Sequence, residues 1–273
     1  MGSVFSPYYK KSGRDHPEDH CALNVALYGP RAARWAMTEH GRRHVERSPS
    51  SFAVGNSTMR WENGTLIIDI DEVGTPFPRR IRGRVTLHTE GLGKGAFLID
   101  DRGRHRWRPL SPVSRIDVAF TEPDLHWTGH GYFDCNEGDE PLEDAFAFWD
   151  WSRTMIGDQK TAILYNTDMM SGASCLAALV VDKHGDIKEI ETPEPARLPR
   201  TPIFQIRRRT RAEEGPPPRI VRTLEDTPFY SRSVIETQLF GERRVAIHES
   251  LSGPRLNSPI VQFMLPYRMP RKA

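Results

Sequence analysis

The stretch Thr58-Met59-Arg60-Trp61-Glu62-Asn63-Gly64-Thr65-Leu66-Ile67-Ile68-Asp69-Ile70-Asp71 decides the fold class. Two runs rich in β-branched and aromatic residues flank Glu62-Asn63-Gly64, and Asn-Gly is the dipeptide that turns one strand back along another. Similar runs recur at close intervals over residues 51–54, 80–88, 96–99, 104–109, 113–120 and 125–134, with Asp101-Arg102-Gly103 as a further turn signal. That makes about eight short strands before residue 135, the number that closes a small barrel with room for side chains or one ligand. No amphipathic helix interrupts them.

A second series runs over 145–152, 161–166, 174–182, 187–191, 203–207, 219–224, 229–240, 243–250 and 260–266. Two such sets in 273 residues imply an all-β chain of two domains, each a barrel or sandwich. The polar, acidic segment 135–144 places the boundary at residue 140, giving domains 1–140 and 141–273. The proline-rich stretch 192–202 is the competing linker, and Ala212–Pro218 reads as a long loop.

Composition narrows the function classes. With 38 basic against 36 acidic residues the net charge is +2, which gives no general electrostatic reason to bind nucleic acid. Cys21, Cys135 and Cys175 form no C-x-x-C pair and read as thiols of a reducing cytoplasm. The apolar run 169–181 is shorter than a membrane span, so the chain is expected to be soluble or at most peripheral to a membrane. No G-x-G-x-x-G, Walker loop, G-x-S-x-G or H-E-x-x-H occurs.

The segment Leu125-His126-Trp127-Thr128-Gly129-His130-Gly131-Tyr132-Phe133-Asp134 carries the most chemistry. Strand alternation puts His126, Thr128, His130, Tyr132 and Asp134 on one face. That face reads either as the solvated side of a sheet or as the lining of a site. A metal held by His126, His130 and Asp134 needs a further strand, because residues four apart on a strand lie about 13 Å from each other. The loop 134–139 lacks the glycine and glutamate spacing of a calcium loop. On another strand Arg104, Arg106 and Arg108 alternate with His105 and Trp107, so the arginines face out and the histidine and indole face in. Trp149, Asp150, Trp151, Ser152 and Arg153 place aromatics on a strand right after the acidic segment and read as core packing. Arg207, Arg208, Arg209 and Arg211, with the tail Arg268, Arg271 and Lys272, read as solvated surface able to meet anionic lipid.

Beyond these patterns, the strings Gly2-Ser-Val-Phe-Ser-Pro-Tyr-Tyr9, His20-Cys-Ala-Leu-Asn-Val25, Arg34-Trp-Ala-Met-Thr-Glu39, Gly129-His-Gly-Tyr-Phe-Asp134 and Gly138-Asp-Glu-Pro-Leu-Glu-Asp-Ala-Phe146 resemble the carotenoid 1,2-hydratases, also called hydroxyneurosporene synthases, nearly end to end. Members of that family commonly carry residues before the Gly-Ser-Val-Phe motif. The resemblance implies paired lipocalin-like β domains and cofactor-free addition of water to the terminal C1=C2 bond of an acyclic carotenoid such as neurosporene or lycopene. It also implies the site residues His105, Trp107, Tyr132 and Asp134. In that reading Asp134 is the acid, the face of Trp107 and the ring or hydroxyl of Tyr132 meet the cation, and His105 bonds Asp134 or takes a proton from water. The expected partners are the carotenoid and a membrane surface contacted peripherally from the cytoplasm, with no nucleic acid, no metal and no cofactor. Another enzyme on the same scaffold, an isomerase or pericyclase, and a non-catalytic polyene carrier are the alternatives. A carrier has no use for an acid, a histidine and a tyrosine facing its cavity.

Overall fold

The computed structural model describes residues 3–30 and 32–272, so Gly2 of the first motif lies outside the described residues. The protein is all-β, and its chain divides into two compact units: Met1–Thr89, Ser114–Gly131 and Pro259–Ala273 form the first, Glu90–Val113 and Tyr132–Ser258 the second. One cut at residue 140 therefore does not describe the division. Two long strands, His105–Glu122 and Asp124–Gly138, each give part of their length to either unit. Residues 135–138, expected in a boundary loop, continue the second of these strands. Glu137 and the two acidic residues just past the strand answer the arginines opposite: Arg106 Nε meets Glu137 at 3.0 Å, Arg106 Nη2 meets Asp139 at 3.0 Å, and Arg104 Nη1 meets Glu140 at 2.9 Å. What looks like a linker composition is one side of an ion-pair ladder.

The first unit is built on the predicted hairpin. Ser57–Glu62 pairs with Thr65–Val73 across Asn63 and Gly64, both at positive φ, and the meander continues to Arg80–Thr89 and residues 114–122. The strands expected at 104–109 and 113–120 are one continuous strand, His105–Glu122, with Pro109 and Pro112 inside it. The two prolines fall between the partners of Arg106–Trp107 and those of Ser114–Glu122, a stretch with no partner in either of those two strands. Cys21–Leu27 and Arg34–His40, outside the two strand series expected from the sequence, form a separate hairpin, joined in parallel by Arg271–Lys272. Val25, Ala36, Val54, Ile70, Ile81 and Phe120 make the core between these layers. Buried Glu39 ties the ends together: it accepts from Ser6 Oγ and Arg271 Nη1, and meets His20 Nδ1 at 2.8 Å.

The stretch 260–266, read as a strand, is the helix Pro259–Arg268. A short apolar run carries no period that separates the two states, and Pro259 at the first helical position suits a helix start. Its Val261 and Leu265 are buried, whereas Ile260, Phe263, Met264 and Tyr267 are exposed.

The second unit is a seven-stranded antiparallel sheet in the order Ile187–Glu189, Ser174–Asp182, Lys160–Met169, Phe146–Ile156, Glu242–Ser252, Tyr230–Leu239, Arg219–Asp226. Tyr230–Leu239 alternates strictly between half-buried and buried, as a strand between two layers must. One face is covered by the hairpin Glu194–Leu198 with Arg208–Ala212. The proline-rich stretch is thus partly a strand rather than a linker, and the strand expected at 203–207 begins only at Arg208. Nor is the arginine run a solvated surface: Arg208 is buried against the carbonyls of Pro199 and Arg200 and the hydroxyls of Thr223 and Ser233. Arg209 pairs with Asp150 at 2.8 Å, and Arg211 donates to Asn166 at 3.0 Å. The other face of the sheet carries the aromatic residues described next.

Candidate active site

Asp134 lies at the end of the strand Asp124–Gly138 that belongs to the second unit, two residues after Tyr132 and on the same face. Trp107 Nε1 donates to its Oδ2 at 2.8 Å and Tyr132 Oη donates to the same atom at 2.9 Å. Oδ1 has no hydrogen-bond partner among the described residues and keeps some accessible surface. Burial pushes the Asp134 carboxyl up from the ordinary carboxylate range. The two donors oppose that shift, and the negative charge of Glu249 adds to it. The Tyr132 hydroxyl is also pushed well above its usual value, first by burial and then by Asp134. A carboxyl group with one oxygen held and the other open, in surroundings that favour the neutral form, is arranged to deliver a proton.

The surroundings are aromatic. Tyr132 packs edge-on against Trp151 at 5.1 Å between ring centroids and Trp107 edge-on against Tyr165 at 5.4 Å, with Phe97 tilted against Trp107 at 5.7 Å. Trp149 lies 6.3 Å from Tyr165 and 5.8 Å from Phe146. The alternation of Phe146–Ile156 produces this lining: Trp149, Trp151 and Arg153 project to one side, Asp150 and Ser152 to the other. Trp149 and Trp151 are half-buried, and they belong to the site as well as to the core.

Trp107 is wholly buried, with Phe97 and Tyr165 against its ring. Its face is therefore covered, and it reaches the site through its N–H. One face of Tyr132 is likewise taken, by the guanidinium of Arg153 at 5.2 Å. Arg153, which sequence reasoning did not place in the site, has its pKa pushed down by burial. The only signal for it was its position two residues beyond Trp151.

The structure does not bring His105 into hydrogen-bond contact with Asp134. Its ring packs edge-on to Phe146 at 4.7 Å, its Nε2 lies 3.8 Å from Glu140, and its backbone N–H donates to Asp100 at 2.9 Å. Gly138 presses on it so closely that a Cβ there would stand 2.5 Å from Nδ1. Burial lowers the pKa of His105, holding the ring neutral beside the indole strand. His126 is exposed and pairs with Asp124 at 3.2 Å, so the polar face of that strand is solvated over its first half and lines the site only from Tyr132 onward. Among the described residues no three His, Cys, Asp or Glu side chains gather as metal ligands.

An open cleft of about 500 Å³ on the first unit is lined by charged and polar groups including Lys11, Asp15, Asp19 and Arg271.

A sequence profile of the family described as Carotenoid hydratase CrtC matches residues 1–273. The chain belongs to the carotenoid hydratase family. It is 46% identical over 274 residues to the acyclic carotenoid 1,2-hydratase of Thiocapsa roseopersicina, covering 99% of this chain and 67% of that one. It is 44% identical to the enzyme of the same name from Rubrivivax gelatinosus, over 100% of this chain and 68% of the relative. To the hydratase of Cereibacter sphaeroides it is 40% identical, over 100% and 96%. Among solved structures, a Nitrosomonas europaea protein described as AttH superposes with a TM-score of 0.55 at 11% identity, covering 85% of either chain, and so shares the all-β fold of this carotenoid hydratase family member.

Proposed function

We propose that the protein adds water to the terminal C1=C2 double bond of an acyclic carotenoid, with Asp134 as the acid. An unactivated trisubstituted alkene is a poor base, so the step needs a neutral carboxylic acid close to C2. Asp134 meets that need, because both donors engage Oδ2 and the proton is left for Oδ1. Proton transfer to C2 leaves a tertiary cation at C1, and water closing on C1 gives the tertiary alcohol. The cation is held by the half-buried rings of Trp151 and Trp149, a contact worth up to about 2 kcal/mol in a desolvated site. Trp107 and Tyr132 act by fixing Asp134. His105 supports Trp107 from two residues away on the same strand. The observation that carries this reading is the carboxyl group with its two neutral donors on one oxygen inside an aromatic lining.

The test is incubation with neurosporene and with lycopene in detergent, without added cofactor, followed by mass analysis. Wild-type protein is expected to give products heavier by one water. Asp134→Asn is expected to lose the activity at unchanged circular dichroism. Turnover of that variant within about tenfold of wild type rejects Asp134 as the acid.

A C40 polyene partitions into bilayers, and among the described residues no helix is long and apolar enough to cross one. The helix Pro259–Arg268 suits peripheral docking on an anionic bilayer. Its Ile260, Phe263, Met264 and Tyr267, at helical spacing, are 42–72% exposed. Exposed Phe77 sits in a loop fastened to the helix end by Thr75 Oγ1, which donates to the Arg268 carbonyl at 2.8 Å. The helix closes on Arg268, Lys272 follows it, and residues 259–272 contain no acidic side chain. Apolar anchors with a basic border fit lipid headgroups of negative charge.

A further inference from the structure

Across the sheet of the second unit, Trp151 stands opposite Tyr165 on one neighbouring strand and opposite Glu249 on the other, and Glu249 stands opposite Arg232. Directly paired residues project from one face with Cβ atoms about 4.5–5.5 Å apart. Tyr165, Trp151, Glu249 and Arg232 therefore form a row on the face that carries the aromatic lining. Trp151 packs against Tyr132, whose hydroxyl bonds Asp134, so the row brings a second carboxylate to the side of the sheet that serves Asp134. Arg232 donates to Glu249 through Nε at 2.9 Å and lies 2.7 Å away through Nη2, both to Oε1. Oε2 has no hydrogen-bond partner among the described residues and, like Asp134 Oδ1, is not sealed from solvent.

The two carboxyl groups thus have opposite company. Asp134 has neutral donors and apolar rings; Glu249 has a guanidinium. A carboxyl group met only by neutral donors and rings is suited to give a proton, and one paired with a guanidinium that leaves its second oxygen open is suited to take one. We propose that Glu249 is the general base of the hydration, accepting through Oε2 a proton from the water that attacks C1. The proposal rests on the reading of Asp134 as the acid. In the step, the Asp134 O–H bond breaks and C2–H forms. Then C1–O forms and a water O–H bond breaks, its proton passing to Glu249. The cycle closes when Glu249 releases that proton to solvent and Asp134 takes one up, so no net proton is consumed. The charge of Glu249 also assists Asp134, since a neighbouring anion favours the neutral acid.

The experiment compares wild type, Glu249→Gln and Asp134→Asn with lycopene in detergent made up in D2O, weighing both product and recovered lycopene. In Glu249→Gln hydration is expected to fall at least about a hundredfold, while recovered lycopene gains deuterium. There Asp134 still delivers deuterium to C2, and the uncaptured cation reverts by returning protium to the Asp134 carboxylate. Asp134→Asn is expected to show neither product nor exchange. Glu249→Gln that hydrates within about tenfold of wild type overturns the proposal, and so does loss of hydration without exchange, which places Glu249 in the protonation step. Exchange in Asp134→Asn overturns the acid assignment and not the base. Should Glu249→Gln misfold because Arg232 loses this carboxylate, the double variant Glu249→Gln/Arg232→Met removes that charge and is read the same way.

Discussion

The two oxygens of Asp134 differ in their company, and this fixes a pH dependence. The proton donor must be neutral, so turnover falls as pH climbs through its raised pKa, the alkaline limb of the profile. Trp107 and Tyr132 donate to the carboxylate and hold that pKa down against burial. Trp107→Phe and Tyr132→Phe are therefore expected to move the alkaline limb of the rate profile to higher pH. Each is also expected to lower kcat about tenfold to a hundredfold, the worth of a hydrogen bond to a charged group. An unmoved limb in both variants shows that neither donor tunes the acid. Stability follows the same sign. A carboxyl whose folded pKa is raised contributes stability below its unfolded value and loses it as pH rises through the folded one. Asp134→Asn should accordingly gain in Tm over wild type as pH rises above the ordinary carboxylate range. At this scale the sequence was informative where alternation sufficed: His105 and Trp107 inward between outward arginines, Tyr132 and Asp134 on one face. Glu249 was not legible, because its neighbour Trp151 is almost a hundred positions away and only the pairing of Phe146–Ile156 with Glu242–Ser252 joins them.

Strands were read best where the chain turns back at once, as at Asn63-Gly64, and worst where a polar composition conceals pairing. The arginine-rich strand Arg208–Ala212 shows why. Asp150, buried on the sheet, accepts from the Arg209 backbone N–H at 3.1 Å, from Arg209 Nε at 2.8 Å and from Ser250 Oγ at 2.6 Å, while His248 Nε2 lies 2.5 Å from the Arg209 carbonyl. Charge is used here to fasten a hairpin over the sheet, and a sequence pattern that assigns arginines to solvent cannot report it. Breaking one side strands the other, so Arg209→Met is expected to destabilise the fold by roughly 3 kcal/mol, the lower end for a buried pair because the guanidinium is 29% exposed. The double variant Asp150→Asn/Arg209→Met should regain a good part of that loss. Denaturant unfolding of the two singles and the double checks it; strictly additive losses mean the pair is not coupled.

For the molecule as a whole, the division of the chain lay beyond the sequence because the two long strands are shared between units, and local composition does not mark a strand that changes partners halfway. The helix Pro259–Arg268 was hidden for the opposite reason, since an apolar stretch of seven residues fits either state. Once it is a helix, four large side chains stand exposed on the first unit beside a basic tail. Wild-type protein is expected to float with liposomes containing anionic lipid at low ionic strength, and less so in high salt as the headgroup attraction is screened. Phe263→Ser with Ile260→Ser removes two anchors, each worth about 1.5–3 kcal/mol when buried, and should weaken partitioning at least tenfold. Hydration of substrate presented in detergent should survive, because neither side chain belongs to the aromatic site. Variants that float like wild type reject this helix as the anchor. A wild-type dimer on gel filtration that the same substitutions dissociate means that a second copy of the chain covers the face in place of lipid.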